Sequence, residues 1–211
     1  MPRRNGSRGS NRQAKQPDRL TARNNGVFAV RRTLAKESHE TLADFTRDFS
    51  NLVHGNARVF ELRSLSATVI SLSRFSERQI KKGPSTKSIY DSVESHTDSL
   101  NARIGELALY GSNKKLLFAL CLDSDDLINE EAEFDRIYEM RTGGRLDKDI
   151  NSEDGYSPHL SVALIYNDYV EYYQQDAVLA ALNEKECLQS IVGEHIVLGP
   201  PPPFPDYSRH A

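Results

Sequence analysis

The 211-residue chain is 38% hydrophobic and 27% charged, the composition of a soluble globular protein able to bury a real core. Its net charge of −3 hides an asymmetry: residues 1–32 carry nine basic side chains against Asp18 alone, a net of +8, and the remainder carries −11. A basic arm on an acidic body points to nucleic acid or to an intramolecular electrostatic contact. The N-terminal charges are not followed by the apolar stretch of a secretory signal, and no apolar run approaches the length of a membrane span. Cys121 and Cys187 fit neither a C-x-x-C motif nor a zinc spacing, so free thiols and a cytoplasmic protein are expected.

Residues 1–25 are rich in Arg, Asn, Gly and Ser without hydrophobic periodicity and read as a disordered basic arm. Val27–Arg32 reads as a first strand. A helix is expected from about Glu37 to His54, with Leu42, Phe45, Phe49, Leu52 and Val53 at helical spacing and Gly55 just beyond its end. His39-Glu40-Thr41 falls in its first turn and reads as solvated. Two strands follow, Val59–Arg63 and Ser66–Leu72; in the second, Ser66, Thr68 and Ile70 share one face, and Ala67, Val69 and Ser71 the other.

Arg74, Arg78, Lys81, Lys82 and Lys87 then surround Glu77 in a loop containing Gly83-Pro84. The periodicity predicts a helix over about Thr86–Ala102, with Ile89, Val93, His96 and Leu100 on one stripe. Ile104–Tyr110 and Leu116–Leu122 read as a hairpin turning at Gly111-Ser112-Asn113. Asp125 or Asp126 can cap the next helix, whose buried face is Leu127, Phe134, Ile137 and Tyr138, and Gly143-Gly144 ends it. The acids Asp123, Asp125, Asp126, Glu130, Glu131 and Glu133 suit its positive N-terminal end better than they suit a metal. Past a polar loop, Arg145–Gly155, come a strand after Pro158, a helix over roughly Tyr169–Cys187 and a last strand, His195–Leu198. Pro200–Pro203 stop the chain there and open a stiff tail.

The stretch Tyr156-Ser157-Pro158-His159-Leu160-Ser161-Val162-Ala163-Leu164-Ile165 carries the most chemistry. Side chains alternate along a strand, so His159, Ser161 and Ala163 share one face, with Leu160, Val162 and Leu164 turned to a core. An imidazole and a hydroxyl two residues apart can grip a phosphate, the first moving a proton and the second donating a hydrogen bond. Ser66-Ala67-Thr68 repeats the polar-x-hydroxyl pattern in the first half of the chain.

Two such half-motifs, each on a strand of its own half, resemble the two-histidine (2H) phosphoesterase superfamily, which includes RNA 2′,3′-cyclic phosphodiesterases once called 2′-5′ RNA ligases. The resemblance covers about Val27 to Leu198, and its specific match is Pro158-His159-Leu160-Ser161. At the first motif the sequence departs: Ser66 stands where the family has its other His, while Thr68 matches the hydroxyl residue. The resemblance implies an α+β fold of two pseudosymmetric lobes of antiparallel sheet around a central cleft, helices outside. It also implies acid–base phosphodiester chemistry without metal or organic cofactor. His159 would be catalytic, and Ser161, Thr68, Ser66 and Tyr156 would hold substrate. The expected organisation is a basic arm (1–25), a 2H phosphoesterase-like domain (26–199) and a Pro-rich tail (200–211). The expected partner is RNA or a nucleotide with a terminal or cyclic phosphate, bound by a monomer with no membrane association. A non-catalytic RNA- or nucleotide-binding module is the alternative.

Overall fold

The computed structural model describes residues 30–70, 86–112, 115–143 and 156–201. The basic arm, the loop carrying Arg74, Arg78, Lys81 and Lys82, the loop ahead of Tyr156 and the proline tail past Pro201 lie outside these residues. Seven antiparallel strands form one sheet: β1 (Val30–Thr33), β2 (Ala57–Val59), β3 (Ser66–Ile70), β4 (Leu100–Ser112), β5 (Lys115–Asp123), β6 (His159–Ile165) and β7 (His195–Leu198). Their order is β1-β3-β6-β5-β4-β7, with β2 also on β6. The sheet curls until its two ends touch: Leu34 bridges Leu198, the Ala35 N–H donates to the Val197 carbonyl at 2.9 Å, and the Gly199 N–H to the Thr33 carbonyl at 2.9 Å. Strands from both halves of the sequence thus join edge to edge, and the α+β antiparallel architecture expected above is the one observed.

Helices α1 (His39–Leu52), α2 (Thr86–Tyr90), α3 (Asp125–Thr142), α4 (Val170–Tyr173), α5 (Asp176–Asn183) and α6 (Glu186–Gln189) complete the fold. Leu42, Phe45 and Phe49 recur at the spacing of one helix face, and all three are buried. Phe49 meets the β5 ring of Phe118 edge-on at 5.5 Å, and Phe118 meets Tyr173 of α4 at 4.8 Å. These aromatic contacts seat α1 and α4 on the side of the sheet where Ala67, Leu160, Leu120 and Leu107 are buried. We call this the core face.

Several elements differ from the sequence expectation. The chain leaves helical form after Tyr90, and Leu100–Ala102 belong to β4, where they pair with β7. The Ser95 and Asp98 carbonyls, which a continued helix would have used internally, instead accept from Arg32 at 2.8 and 2.7 Å. Val59–Arg63 is not one strand. β2 ends at Val59, and a 3-10 turn at Leu62–Ser64 steps the chain along the same edge of β6 to β3. The long helix over Tyr169–Cys187 is three short ones, broken at Gln175 and Lys185, both extended. In one straight helix Tyr173 and Leu182 would sit about 180° apart, yet both are buried. The cap of α3 is neither Asp125 nor Asp126 but Ser124, whose hydroxyl oxygen accepts from the Leu127 N–H at 3.3 Å and whose O–H donates to the Asn101 carbonyl at 2.6 Å. Gly143 closes that helix in the left-handed conformation (φ +67°), the role expected of it. His39 is half-buried rather than solvated, and its Nε2 has no partner among the described residues.

A buried ion pair fixes the closed end of the sheet. Arg32 and Glu130 are 0% and 1% exposed, and Arg32 Nε lies 2.6 Å from Glu130 Oε2. The guanidinium also donates to the carbonyls of Asp98, Ser95 and Gly199, and the Tyr90 hydroxyl donates to the other oxygen of Glu130. Burial first, and then the Glu130 charge, push the Tyr90 phenol far above its ordinary range, so it stays a donor. Glu130 therefore neutralises an interior arginine, a role its place in an acidic run did not indicate.

Candidate functional site

The two half-motifs lie side by side. β3 and β6 run antiparallel with Ser66 opposite Ser161 and Ala67 opposite Leu160. Carrying that register one step sets Thr68 beside His159. An approximate two-fold axis therefore passes between the strands and relates Ser66/Thr68 to His159/Ser161. Side chains of directly opposed residues share a face, and Ala67 and Leu160 are both fully buried on the core face. Ser66, Thr68, His159 and Ser161, all half-buried, thus project together from the other side, here called the open face.

Two bulges limit the period-two reading. In β6, Phe118 pairs with Ala163 and Ala119 with Ser161, so Val162 is an extra residue against one step of β5. Beyond it the faces exchange: Ala163 is fully buried on the core face, and Leu164 is half-buried on the open face, the reverse of the expectation for both. In β3 the register shifts where Val30 pairs with Ile70 and Arg31 with Thr68. Ile70 is accordingly buried and does not share the face of Ser66 and Thr68.

The sheet register arranges the open face in transverse rows. One row holds Arg31, Thr68, His159 and Cys121. The next holds Thr33, Ser66, Ser161, Ala119 and Ala108. A third holds Arg58, Leu164, Leu117 and Tyr110. Ala108 and Ala119 are small, and Tyr110 leans back towards the first row: its ring stacks on the His159 imidazole with centroids 3.7 Å apart and planes at 16°. The Tyr110 hydroxyl lies 3.0 Å from Ser157 Oγ and 3.8 Å from Cys121 Sγ. Burial, the largest influence, raises the Tyr110 phenol above its usual value.

His159 is held in a defined state. Its Nδ1 lies 2.9 Å from the Ser157 carbonyl, which can only accept, so Nδ1 carries the hydrogen. In the neutral ring the lone pair is then on Nε2. Burial lowers the imidazole below its ordinary 6.5, and the bond to the Ser157 carbonyl offsets this only in part. At neutral pH the ring is therefore the unprotonated form, with Nε2 as an acceptor of protons. Tyr156 leaves the strand at the same end and donates its hydroxyl to the Thr68 carbonyl at 3.1 Å, tying the two half-motifs together. Burial, with smaller effects from Glu130 and Glu131, raises this phenol strongly, and it stays neutral.

The sequence-derived residues His159, Ser161, Thr68 and Ser66 are thus brought onto one face, and Tyr156 braces them through its backbone-directed hydroxyl. Among the described residues no other histidine occupies these rows. His39 opens α1 and His54 follows it, His96 follows α2, and the exposed His195 of β7 pairs with Arg103 of β4. Residues that the sequence reading missed are Tyr110, Cys121, Arg31 and Arg58. The alternation Ala108-x-Tyr110 and Ala119-x-Cys121 carried the signal for the first two, because it puts small and functional side chains on one face of the hairpin.

No family model matches the sequence, and no curated protein matches it. Among solved structures the chain is similar to Usb1 of Kluyveromyces marxianus, at 13% identity over 82% of this chain and 96% of that one, with a TM-score of 0.44. It is likewise similar to the same protein with uridine monophosphate, at 13% identity over 79% and 88%, with a TM-score of 0.45. A likeness of this size says nothing about this chain's chemistry.

Proposed function

We propose that the open face binds the phosphate of an RNA end or a 2′,3′-cyclic nucleotide and that His159 serves as a general base in a slow phosphodiester hydrolysis. The observation that carries this reading is the register Ser66↔Ser161, which sets two polar-x-hydroxyl pairs about a local two-fold with an unprotonated Nε2 beside them. Three hydroxyls, of Ser66, Thr68 and Ser161, converge as donors to non-bridging oxygens. His159 Nε2 takes a proton from water as the water oxygen attacks phosphorus. The bond from phosphorus to one ribose oxygen breaks, leaving a phosphomonoester. The departing ribose oxygen takes its proton from solvent, because Ser66 does not exchange protons near neutral pH. Loss of one acid–base partner of this kind costs roughly 10²–10⁴-fold in rate.

The test compares turnover of 2′,3′-cyclic nucleotides by wild type, His159→Ala and Ser66→His. Slow wild-type turnover, abolished in the first variant and raised by about 10²-fold or more in the second, is the expected pattern. Wild-type activity that survives His159→Ala would overturn the assignment. Ser66 also favours a second reading, a phosphate-binding module without turnover. Nucleotide binding with no measurable hydrolysis, in wild type and in Ser66→His alike, would establish that reading instead.

A further inference from the structure

The described residues include eight arginines. Six of them, Arg32, Arg47, Arg63, Arg103, Arg136 and Arg141, donate to a carboxylate, a carbonyl, a hydroxyl or a thioether. Among the described residues Arg31 and Arg58 make no such bond, both are exposed, and the register puts both on the open face. Arg31 stands next to Thr68 on the first row, and Arg58 next to Leu164 on the third. Between them lies the row of Ser66 and Ser161.

Resting on the phosphate-site reading above, we infer that Arg31 and Arg58 hold the backbone of a single-stranded RNA on either side of the reacting phosphate, so that the substrate is a polynucleotide strand rather than a mononucleotide. The spacing supports this. First and third rows are four strand steps apart, about 13 Å at 3.3–3.4 Å per residue, and a stacked strand rises only about 3.4 Å per nucleotide. Side chains set that far apart along the sheet match phosphates several nucleotides apart on one strand. The neutral row between them, with Ser66 and Ser161, and the inner end of the first row, with Thr68 and His159, offer the reacting phosphate hydrogen bonds, while Arg31 and Arg58 at the outer positions meet the flanking phosphates. Guanidinium is the side chain best shaped to pair with phosphate oxygens, and an arginine already paired with a carboxylate would not be available for it.

Salt dependence of binding reads this directly. Each phosphate neutralised on a single strand contributes about 0.7 to the slope of log affinity against log salt. The full-length chain is titrated with a short oligouridylate ending in a 3′-phosphate and, separately, with uridine 3′-monophosphate. Arg31→Gln and Arg58→Gln should each reduce the oligonucleotide slope by about 0.7, and the double variant by about 1.4. Binding of the mononucleotide should stay within about twofold. Arg47→Gln, on the outer surface of α1 beside Asp44 and Asp48, removes the same charge elsewhere and should leave the slope unchanged. An oligonucleotide slope indifferent to both open-face variants, or equally reduced by Arg47→Gln, overturns the inference and leaves the phosphate site standing. Equal loss of mononucleotide and oligonucleotide binding also overturns it, because the arginines would then hold the reacting phosphate itself. Failure of the wild type to bind either probe overturns the site reading and this inference together.

Discussion

Arg31 and Arg32 are neighbours on one strand and could hardly be treated more differently. Arg32 points into the core face, is fully buried, and meets a carboxylate and three carbonyls. Arg31 points from the open face, is exposed, and donates to nothing among the described residues. The same division runs through the sheet. On the closed side the polar groups of the Arg32–Glu130–Tyr90 network are bonded to one another, because an unpaired charge there would cost several kcal/mol. On the open side hydroxyls, an imidazole nitrogen and two guanidiniums keep donor or acceptor capacity in hand.

The comparison breaks most sharply at Glu130. Glu130→Ala leaves the Arg32 charge buried with carbonyls only and should lower unfolding free energy by about 3–5 kcal/mol. A urea midpoint close to that of wild type would show that the pair is not the anchor of the closed side. Ser124→Ala removes the cap of α3 and a bond to Asn101, for about 0.5–2 kcal/mol by the same measurement. On the open face the expectation reverses. Thr68→Val should leave the unfolding midpoint within about 0.5 kcal/mol while weakening nucleotide binding by about 0.5–1.5 kcal/mol, and a calorimetric titration beside a urea curve separates the two.

The smallest effect expected is a pH dependence at His159. Folding lowers its proton affinity below the ordinary 6.5, so the unfolded chain binds more protons. Stability from this group is complete above the unfolded value and is lost as pH falls through the depressed folded one. Turnover requiring the free Nε2 should fall in the same acid interval. Urea midpoints measured across that interval should slope in wild type and flatten in His159→Asn.

The parts of this architecture written locally were readable in the sequence. The apolar stripe of α1, the hairpin of β4 and β5, the Gly143 stop and the His159-Leu160-Ser161 alternation each depend on residues close together in the chain. What escaped depended on distant partners. Nothing near Leu100 says that β7 will draw it into a strand, and nothing in the acidic run says that Glu130 will find Arg32, 98 residues away. The bulges at Val162 and beside Thr68 transpose faces without any Gly or Pro to announce them. Period-two logic picks Ser66, Thr68, His159 and Ser161 as two pairs, and the family resemblance implies that both face one cleft; the direct Ser66–Ser161 register on neighbouring strands comes only from the sheet order. Arg31 was invisible as a candidate because its neighbour Arg32 looks identical in sequence.

The meeting of β1 with β7 has a consequence for synthesis. A ribosome releases Arg32 long before Glu130, and Glu130 long before the Gly199 carbonyl that the guanidinium also contacts. Until β7 emerges, β4 has an open edge over Leu100–Arg103 and β1 has no neighbour at Leu34. Unpaired edges of this kind invite association with other chains. Between the synthesis of Arg32 and that of Glu130 the growing chain therefore carries a charged side chain destined for its interior without the carboxylate that neutralises it, and the first strand waits for the last before the sheet closes.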